Sequence, residues 1–583
     1  MARPATTSRP ETMGSGAASP DDAISGDAPA HRPRLQSSSE IGPRRLLPTW
    51  NILTLELIAL MVLVVLATTD VMWLIPVLAA VAVGIWFVPI GGRPVAQAAR
   101  ERLLFRLNRA KRHQRALRVP EPFDISTTDG SQFGFRWDGD SLVSMLEIAD
   151  TPEALTVLQP GATVDAVSIP VRVLAESLHQ FDITLAAIDV HIQGSRSRGG
   201  TEIAAVYDHV LGPLPAIAHR SVWLTIRLDP TGCPDAVARR GGGSTGILKT
   251  AITGTRRVAN RLREHGFDVH SLTAAEMTRS ITHLSDGVLL SNVDEAWDTC
   301  SSGQLYLRTY GLDQPILTSA GLDQLWTIPS HATTLGLSLR TLEDRDLVQA
   351  TGVARFDTFG RPVEVGFAGL SPMHAHQLDG LVCSLPLPRP HTDGLHQTFG
   401  TADDFAELRL PASGCGQVIG ADVHGRAVAL PVFGPTIDRV EIAGSLHLAQ
   451  QLVLRAIALG ARVLVSSRRP AQWREMVMTV GNNNLLWVAE FDRGTMHAGA
   501  EANYSVMVFD GTTERPVNND VTAFIVNRIG TQLSGSADVT LRQLDPDTDE
   551  VAVATRGGSV TVEMVASDEE MQYVLSLIHI SEP

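Results

Sequence analysis

Residues 241–250 are the segment of this sequence most similar to a phosphate-binding loop. They read Gly-Gly-Gly-Ser-Thr-Gly-Ile-Leu-Lys-Thr, with glycines that let a backbone surround a phosphate and a lysine that neutralises it. A P-loop places its lysine directly after the last glycine, whereas Ile247 and Leu248 separate Gly246 from Lys249 here. The insertion turns Lys249 to another face of the following helix, which argues against a working nucleotide site.

The same loop has the spacing of a nucleophile elbow, Gly-x-Ser-x-Gly, with Ser244 at its centre. That motif requires a strand that turns sharply into a helix at the serine, and the predicted strand before the loop ends too early. We predict instead a flexible loop in which Ser244 or Thr245 caps the N-terminus of the next helix.

Two other motifs contain metal-binding residue types. Residues Asp545–Glu550 read Asp-Pro-Asp-Thr-Asp-Glu, but a calcium loop requires glycine at the sixth position, where Glu550 stands. His374 and His376 could hold a metal with Asp379, but the sequence offers no further ligand beside them. We predict an acidic turn between strands for the first motif and a surface loop for the second.

A strand, turn and helix at Ile442–Leu448 resemble the turns that hold phosphates at a helix N-terminus. With one glycine and no lysine, the segment matches neither the dinucleotide nor the Walker fingerprint. Glu56 lies in an apolar run, where a carboxylate is a functional candidate, yet it is near enough to the interface to reach water. We predict no catalytic, cofactor-binding or metal-binding residue, and no enzymatic activity.

Four cysteines stand far apart, without the Cys-x-x-Cys pair of a zinc site: Cys233, Cys300, Cys383 and Cys415. A cytoplasmic domain keeps thiols reduced, so we expect core or incidental cysteines.

The elements that position these residues begin with an almost uncharged run over residues 50–90. A polar break, Thr68-Thr69-Asp70, divides the run, and each half approaches the roughly 20 apolar residues that cross a bilayer. One helix through the whole run would place Asp70 near the bilayer centre, where a charge is costly. The sequence therefore predicts a two-helix transmembrane hairpin, with spans at 50–68 and 71–90.

The flanking charges predict the orientation of this hairpin. Arg44 and Arg45 precede the first span and nine basic residues follow the second, whereas the turn between the spans contains none. By the positive-inside rule, both termini and the large soluble region are cytoplasmic, and the chain is a multi-pass protein of the inner (plasma) membrane. Residues 1–49 are rich in Pro, Ser, Ala, Gly and Arg and are expected to be disordered.

Residues 93–118 form a basic juxtamembrane segment. Its apolar residues recur at helical spacing: Val95, Ala99, Leu103, Leu107 and Ala110. Near anionic headgroups each base contributes about 1 kcal/mol, so we predict a helix that binds anionic lipid. An ordinary solvated basic helix is the alternative.

The rest of the chain is acidic. Residues 1–118 hold 15 Lys and Arg and 8 Asp and Glu, so the totals of 48 and 63 leave 33 bases and 55 acids, a net charge near −22. Such a surface repels a phosphate backbone, which argues against nucleic acid as a partner.

Hydrophobic periodicity predicts a membrane-anchored α/β protein whose large cytosolic region has Rossmann-like strand–helix alternation and a C-terminal β-rich part. The first part has a hairpin at 133–148, helices at 171–179, 204–211 and 247–265, and strands at 183–192 and 222–228. The second part has strands at 440–443, 462–466, 485–489 and 505–509, helices at 446–459 and 471–480, and antiparallel strands over 539–565. The alternation in the second part implies a parallel sheet covered by helices.

These patterns divide the soluble part of the chain. We predict an α/β domain at 119–330, a mixed β region at 331–436, and a second α/β unit with C-terminal β-strands at 437–575. Residues 576–583 fit no element and resemble translated adapter sequence, so we expect an artefactual tail.

In their order along the chain, several elements resemble the EccE family of type VII (ESX) secretion membrane proteins. They are the two-span hairpin, the arginine-rich exit helix, the hairpin around Arg136-Trp137, the strand Trp223–Arg227 with Asp229-Pro230, the helix Arg256–Leu262 and the helix–strand pair Val453–Val465. The long N-terminal extension and the region beyond about residue 500 depart from the resemblance.

The resemblance implies a non-catalytic structural subunit of the ESX membrane complex that supports protein export across the inner membrane. Its implied partners are EccB-, EccC- and EccD-like subunits and the mycosin protease, and it implies no cofactor. Two alternatives stay open. One is a membrane-tethered enzyme with a degenerate nucleotide- or sugar-binding site near Gly241–Lys249, and the other is a membrane-anchored ligand sensor that uses residues 437–510.

Overall fold

The computed structural model describes residues 36–37, 89–90, 93–150, 155–160, 162–164, 167–198, 201–342, 346–362, 364–390, 395–434, 436–489, 504–518, 520–545 and 549–574. Residues 50–88 of the predicted hairpin, with Glu56, lie outside them, as do the predicted tail 576–583 and residues 1–35 and 38–49. Within the described residues, no helix combines the length and the apolar character needed to cross a bilayer. Pro89–Ile90, assigned above to the end of the second span, pairs with Arg93–Pro94 as two short antiparallel strands.

The strands up to residue 312 are, in chain order, β1 (Gln36–Ser37), β2 (Pro89–Ile90), β3 (Arg93–Pro94), β4 (Phe123–Ser126), β5 (Gln132–Asp138), β6 (Ser141–Ile148), β7 (Thr156–Gln159), β8 (Ala162–Val164), β9 (Ser168–Pro170), β10 (His179–Gln180), β11 (Ile183–Thr184), β12 (Ala187–Ser195), β13 (His219–Leu228), β14 (Val269–Ser271), β15 (Asp294–Glu295), β16 (Cys300–Ser302) and β17 (Leu305–Leu312). Those that follow are β18 (Ala332–Thr341), β19 (Val348–Phe359), β20 (Leu370–Pro372), β21 (Thr398–Gly400), β22 (Arg409–Pro411), β23 (Gln417–Ala421), β24 (Ala427–Leu430), β25 (Arg439–Ala443), β26 (Val463–Ser467), β27 (Leu486–Val488), β28 (Val506–Asp510), β29 (Thr522–Asn527), β30 (Val539–Gln543), β31 (Glu550–Thr555) and β32 (Gly558–Glu563).

The described α-helices are α1 (Val95–Ala116), α2 (Val171–Glu176), α3 (Glu202–Leu211), α4 (Pro234–Arg239), α5 (Gly243–Glu264), α6 (Ala274–Leu284), α7 (Ser319–Leu325), α8 (Gln377–Cys383), α9 (Leu446–Ala458), α10 (Pro470–Val480) and α11 (Asp568–Val574). Each helix predicted beyond residue 92 coincides with one of them, with ends shifted by a few residues.

The first sheet has the strand order β15-β16-β17-β19-β18-β12-β13-β6-β5-β4, and neighbouring strands along this path are antiparallel. The predicted hairpin at 133–148 is confirmed as β5 and β6, with Asp138 opposite Ser141 across the turn. Strands β18 and β19 come from the predicted region 331–436 but lie beside β12, a strand of the predicted domain 119–330. The division between these two regions stays a prediction.

The two faces of the first sheet bury different kinds of side chain. Along β12, Ile188 and Val190 enter a large apolar core under α2 and α5, whereas Asp189 and His191 are buried on the opposite face. The strands of a parallel sheet that is buried on both faces have continuous apolar sequences, whereas this alternation of apolar and polar residues is typical of antiparallel strands. The expectation of Rossmann-like alternation is therefore wrong for the first sheet.

The second sheet begins with six parallel strands in the order β27-β26-β28-β29-β25-β30, flanked by α9 and α10. It continues through antiparallel β31, β32, β23, β24, β7 and β8. The parallel sheet and the antiparallel strands over 539–565 are thereby confirmed. Strands β7 and β8 belong to this sheet although the chain on either side of them belongs to the first.

Candidate functional site: the surface that binds the basic helix

The basic helix α1 packs against residues 294–297 and helix α8. The contact includes the side chains of Arg102, Phe105, Arg109 and Arg112. Their spacing of three, four and three residues places them on one face of the helix. We call the residues that receive them, Asp294, Glu295, Trp297 and helix α8, the α1-binding surface.

Trp297 is the aromatic centre of this surface. The Phe105 ring meets it edge-on with centroids 5.9 Å apart, and the Arg102 guanidinium carbon lies 5.5 Å from its centroid. The imidazole of His374 also stacks on the indole, with ring centroids 6.1 Å apart and an interplanar angle of 13°. The indole therefore contributes apolar contact and a cation–π interaction at once.

Arg112 and Glu295 form the buried ion pair of the interface. Their side chains are 11% and 2% exposed, and Nη2 of Arg112 lies 3.1 Å from Oε2 of Glu295. The other carboxylate oxygen accepts the backbone N–H of Leu378 at 3.1 Å, in the first turn of α8. Burial raises the pKa of Glu295, while the Leu378 N–H and Arg112 oppose that rise. One carboxylate thus holds α1 and α8 together.

The opposite face of α1 carries exposed apolar residues. Leu103 and Leu107, one turn apart, are 58% and 64% exposed. Arg106 and Lys111 are exposed beside them. This outer face is amphipathic, and it points away from the domain that holds the helix.

Residues 216–312 match the family model described as "Putative type VII ESX secretion system translocon, EccE". The chain resembles EccE. The resemblance predicted from the order of the elements is thereby confirmed. Asp294, Glu295 and Trp297 lie inside the matched segment, whereas helix α8 lies beyond it, so the part of the chain that matches EccE supplies part of the α1-binding surface.

The similarity to EccE proteins extends well beyond that segment. The chain is 25% identical to the ESX-2 secretion system protein EccE2 of Mycobacterium tuberculosis (strain CDC 1551 / Oshkosh) over 456 residues, 75% of this chain and 81% of that protein. It is 24% identical to the ESX-1 protein EccE1 of Mycolicibacterium smegmatis over 60% of this chain and 67% of that protein. It is 26% identical to the ESX-5 protein EccE5 of Mycobacterium marinum over 48% of this chain and 70% of that protein.

The glycine-rich loop of the EccE-matched segment makes a tight turn and a close helix contact. Gly242 is the N-cap of α5 and has no side chain to cap it, so the predicted caps Ser244 and Thr245 are wrong, because both already lie within the first turn. A Cβ on Gly246 would lie 2.4 Å from the carbonyl oxygen of Val237, so glycine lets α4 approach α5. Lys249 is exposed on α5.

The strand–turn–helix at Ile442–Leu448 is confirmed as the end of β25 and the start of α9. Two of its N-terminal donors bond to protein side chains. Oγ of Ser445 accepts the Leu448 N–H at 3.2 Å, and Oε1 of Gln543 accepts the Ser445 N–H at 2.8 Å. The Gln543 side chain therefore lies where an anion at this turn would bind.

The metal-motif candidates occupy other roles. His374 packs on Trp297, whereas Nδ1 of exposed His376 lies 2.9 Å from the carboxylate of Asp379. The acidic segment Asp545–Glu550 connects antiparallel β30 and β31, as predicted, with residues 546–548 outside the described part. Among the described residues, no group of three or more His, Cys, Asp or Glu is arranged to hold a metal.

The four cysteines are buried free thiols, in agreement with the prediction of core residues. Burial raises the pKa of each thiol: Cys233, Cys300, Cys383 and Cys415. Thiols of this kind are poorly reactive because the thiolate is disfavoured.

A polar cleft of about 520 Å³ lies at the ends of β12 and β13. Sequence reasoning missed it because its residues are scattered over the chain and form no motif. The side chains that dominate it are Arg198, His219, Arg220, His283, Asp286 and His331. His219 also reaches the second unit, where the carbonyl oxygen of Leu459 lies 2.9 Å from its Nε2.

Charge is mixed within the cleft. Asp286 hydrogen-bonds His331 at 3.0 Å and raises the pKa of that imidazole. Burial lowers the pKa of His283, and burial lowers the pKa of Arg220 to about 10. Such a cleft suits a small polar ligand, and the contact in it between Oγ of Ser221 and Nε2 of His283 is long, at 3.5 Å.

Proposed function

We propose that this protein is a non-catalytic structural subunit of a type VII (ESX) secretion membrane complex. The observation that carries the proposal is the α1-binding surface. Its residues Asp294, Glu295 and Trp297 lie in the segment that matches EccE, and the surface fixes the helix that directly follows the predicted membrane hairpin at 50–90. A rigid joint at that place would set the position of the soluble domain relative to the membrane.

The outer face of α1 supports contact with lipid or with neighbouring subunits. Leu103 and Leu107 are exposed between basic residues, an arrangement that favours an anionic membrane surface. We propose that both termini and the soluble region are cytoplasmic, and that EccB-, EccC- and EccD-like subunits and a mycosin protease are the neighbours. The acidic charge near −22 of residues 119–583 disfavours nucleic acid as a further partner.

The proposal is tested by purifying the tagged full chain in mild detergent from cells that contain the complex. The double variant Arg112→Ala/Trp297→Ala removes the buried ion pair and the aromatic contact of α1. We expect normal insertion and protein level, with a several-fold loss of co-purified EccB-, EccC- and EccD-like subunits and of export.

The matched control is Arg118→Ala/Trp487→Ala, which removes an arginine beyond the end of α1 and a tryptophan that is 45% exposed on β27. We expect it to assemble and export as the wild type does. Full assembly and export by Arg112→Ala/Trp297→Ala would contradict the proposed role of the α1-binding surface.

A ligand-sensing role is the second candidate, and the polar cleft is the observation that favours it. ATP and UDP-glucose serve as probes of a nucleotide or sugar site, titrated against the detergent-solubilised full chain by calorimetry. Saturable binding that is lost in His283→Ala would support sensing, whereas no heat with either probe favours the structural role.

A further inference from the structure

Phe181 combines full exposure with a positive φ, which is unusual for a large apolar residue. It stands at the tip of the hairpin formed by β10 and β11, is fully exposed, and has φ of +52°. Single exposed apolar residues are common and need no explanation. A bulky side chain at positive φ is rare, because the left-handed conformation strains every residue with a Cβ. The combination of a strained backbone and an exposed ring marks this tip as a candidate contact site.

The hairpin tip is held firmly on helix α5. Nε2 of Gln180 donates to the carbonyl oxygens of Ser177 and Gly254 at 2.9 and 3.3 Å. Nη1 of Arg257, on α5, donates to the carbonyl oxygen of Gln180 at 3.0 Å. The Phe181 ring is therefore presented on a rigid support, which lowers the entropic cost of binding.

Basic side chains lie beside the hairpin tip. Arg239, Arg240 and Arg257 contact the carboxylate of Asp182 at 3.6, 2.8 and 3.3 Å. The Arg257 guanidinium carbon lies 5.5 Å from the Phe181 centroid, and the Arg239 side chain is 63% exposed. The three arginines thus share the carboxylate of Asp182, on a chain with net charge −15.

We infer that Phe181 and Arg239, Arg240 and Arg257 form a docking surface for an acidic segment of another protein, in which an apolar side chain is flanked by Asp or Glu. The ring would contact the apolar side chain, and the arginines would pair with the carboxylates. This inference rests on the proposed function only in taking that protein to be a subunit of the same complex.

The fold favours a protein over a lipid surface as the occupant. The hairpin lies over the sheet face that holds Ile188 and Val190, whereas α1 continues into Val119 and packs on the opposite face, with Trp223 and Met145. The helix that leads to the predicted spans and the Phe181 hairpin therefore lie on opposite faces of one sheet. We therefore expect a protein segment at Phe181, and not the membrane that α1 approaches.

The test is a photo-crosslink in cells that contain the complex. Benzoylphenylalanine replaces Phe181 in the full chain, and cross-linked peptides are identified by mass spectrometry after irradiation. We expect one segment of another protein that carries an apolar residue between acidic ones, with yield reduced several-fold by Arg239→Glu and kept by Arg239→Lys. Cross-links to lipid, to a second copy of this chain, or to nothing would overturn the inference.

A second measurement separates function from folding. Phe181→Asn relieves the strain at positive φ, so the melting temperature of the purified full chain should rise while the partner segment is no longer retained. Met478→Ala, at a residue 74% exposed on α10, is the control and should change neither. A cross-linked acidic segment from a protein outside the secretion complex would keep the docking surface and remove only its link to that complex. The proposed function fails separately, in the co-purification experiment, so the two failures are distinguishable.

Discussion

Arg455 and Glu570 form a buried ion pair that joins helix α9 to helix α11 at the end of the described chain. Nε of Arg455 lies 2.6 Å from Oε1 of Glu570, and the side chains are 1% and 2% exposed. The same guanidinium donates to the carbonyl oxygens of Val418 and Ile419 at 2.9 and 2.8 Å. A single arginine thus connects three elements of the second unit.

Removing the carboxylate of this pair should destabilise the second unit strongly. Glu570→Ala leaves a buried guanidinium without its counter-ion, and such losses cost about 3–5 kcal/mol in the free energy of unfolding. Denaturant unfolding of the full chain in detergent measures the loss. Glu569→Ala, one residue away and exposed, is the control and should change stability by less than about 0.5 kcal/mol.

The stability with which α1 packs against the first sheet should depend on Glu295 and not on its neighbour Asp294. Glu295→Ala removes the buried partner of Arg112, so amide hydrogen exchange over residues 105–116 should accelerate at least about tenfold, equal to about 1.4 kcal/mol. Asp294→Ala breaks only the exposed contact with Arg109, where the Asp294 side chain is 88% exposed, and exchange should barely change. Equal effects of the two variants would contradict this account of the α1-binding surface.

Substitution by alanine should have no effect at Lys249 and should destabilise the protein at Gly246. Because Lys249 is exposed and displaced from the glycine turn, Lys249→Ala should leave export and complex assembly unchanged, and the full chain should hydrolyse no ATP or GTP. Gly246→Ala forces a Cβ against Val237 and should lower stability by about 1–3 kcal/mol. Loss of export in Lys249→Ala at normal protein level would revive the enzymatic alternative.

His191 should make stability fall in mild acid. Burial lowers its pKa to about 3, from the ordinary 6.5. Between these pH values His191 is protonated in the unfolded chain and neutral in the folded chain. Its contribution to the free energy of unfolding is therefore complete above pH 6.5 and is lost as pH falls. From pH 7 to pH 5 this residue should remove about 2 kcal/mol. Urea unfolding at both pH values should show that much less pH dependence in His191→Gln, and an unchanged dependence would refute the assignment.

The predicted hairpin topology can be read from thiol labelling in intact cells. Because the four native cysteines are buried, they give little background. Thr69→Cys, in the predicted external turn, should react with a membrane-impermeant thiol reagent, whereas Gln114→Cys, exposed on α1, should react only after lysis. The reverse pattern would invert the topology.

The sequence predicts elements whose signals are local. Asp138-Gly139 marks the hairpin of β5 and β6, where Gly139 has φ of +57°. The parallel strands β26 and β28 are continuous apolar runs, and that pattern identifies the second unit. In β12 the polar residues Asp189 and His191 alternate with apolar ones, a signal of the antiparallel sheet that the Rossmann-like expectation overlooked.

The α1-binding surface was not predictable in the same way. Arg112 and Glu295 are 183 residues apart in the sequence, and neither belongs to a recognisable motif. Trp297 and His374 likewise meet only through tertiary packing. The cap of α5 was misplaced for a different reason, since consecutive glycines with positive φ provide the turn without a side-chain cap.

Strand β7 must wait during synthesis of the chain before it can pair with β24. Thr156, Val157 and Leu158 find their pairing partners in β24, at Ala429, Val428 and Ala427. Roughly 270 residues are therefore translated between Leu158 and its partner, which takes about 15–55 s at 5–20 residues per second. During that interval the first sheet is being completed, while β7 has only the short β8 beside it and its other edge waits for β24. Strand β7 is thus the part of the nascent protein on which we expect a chaperone to act.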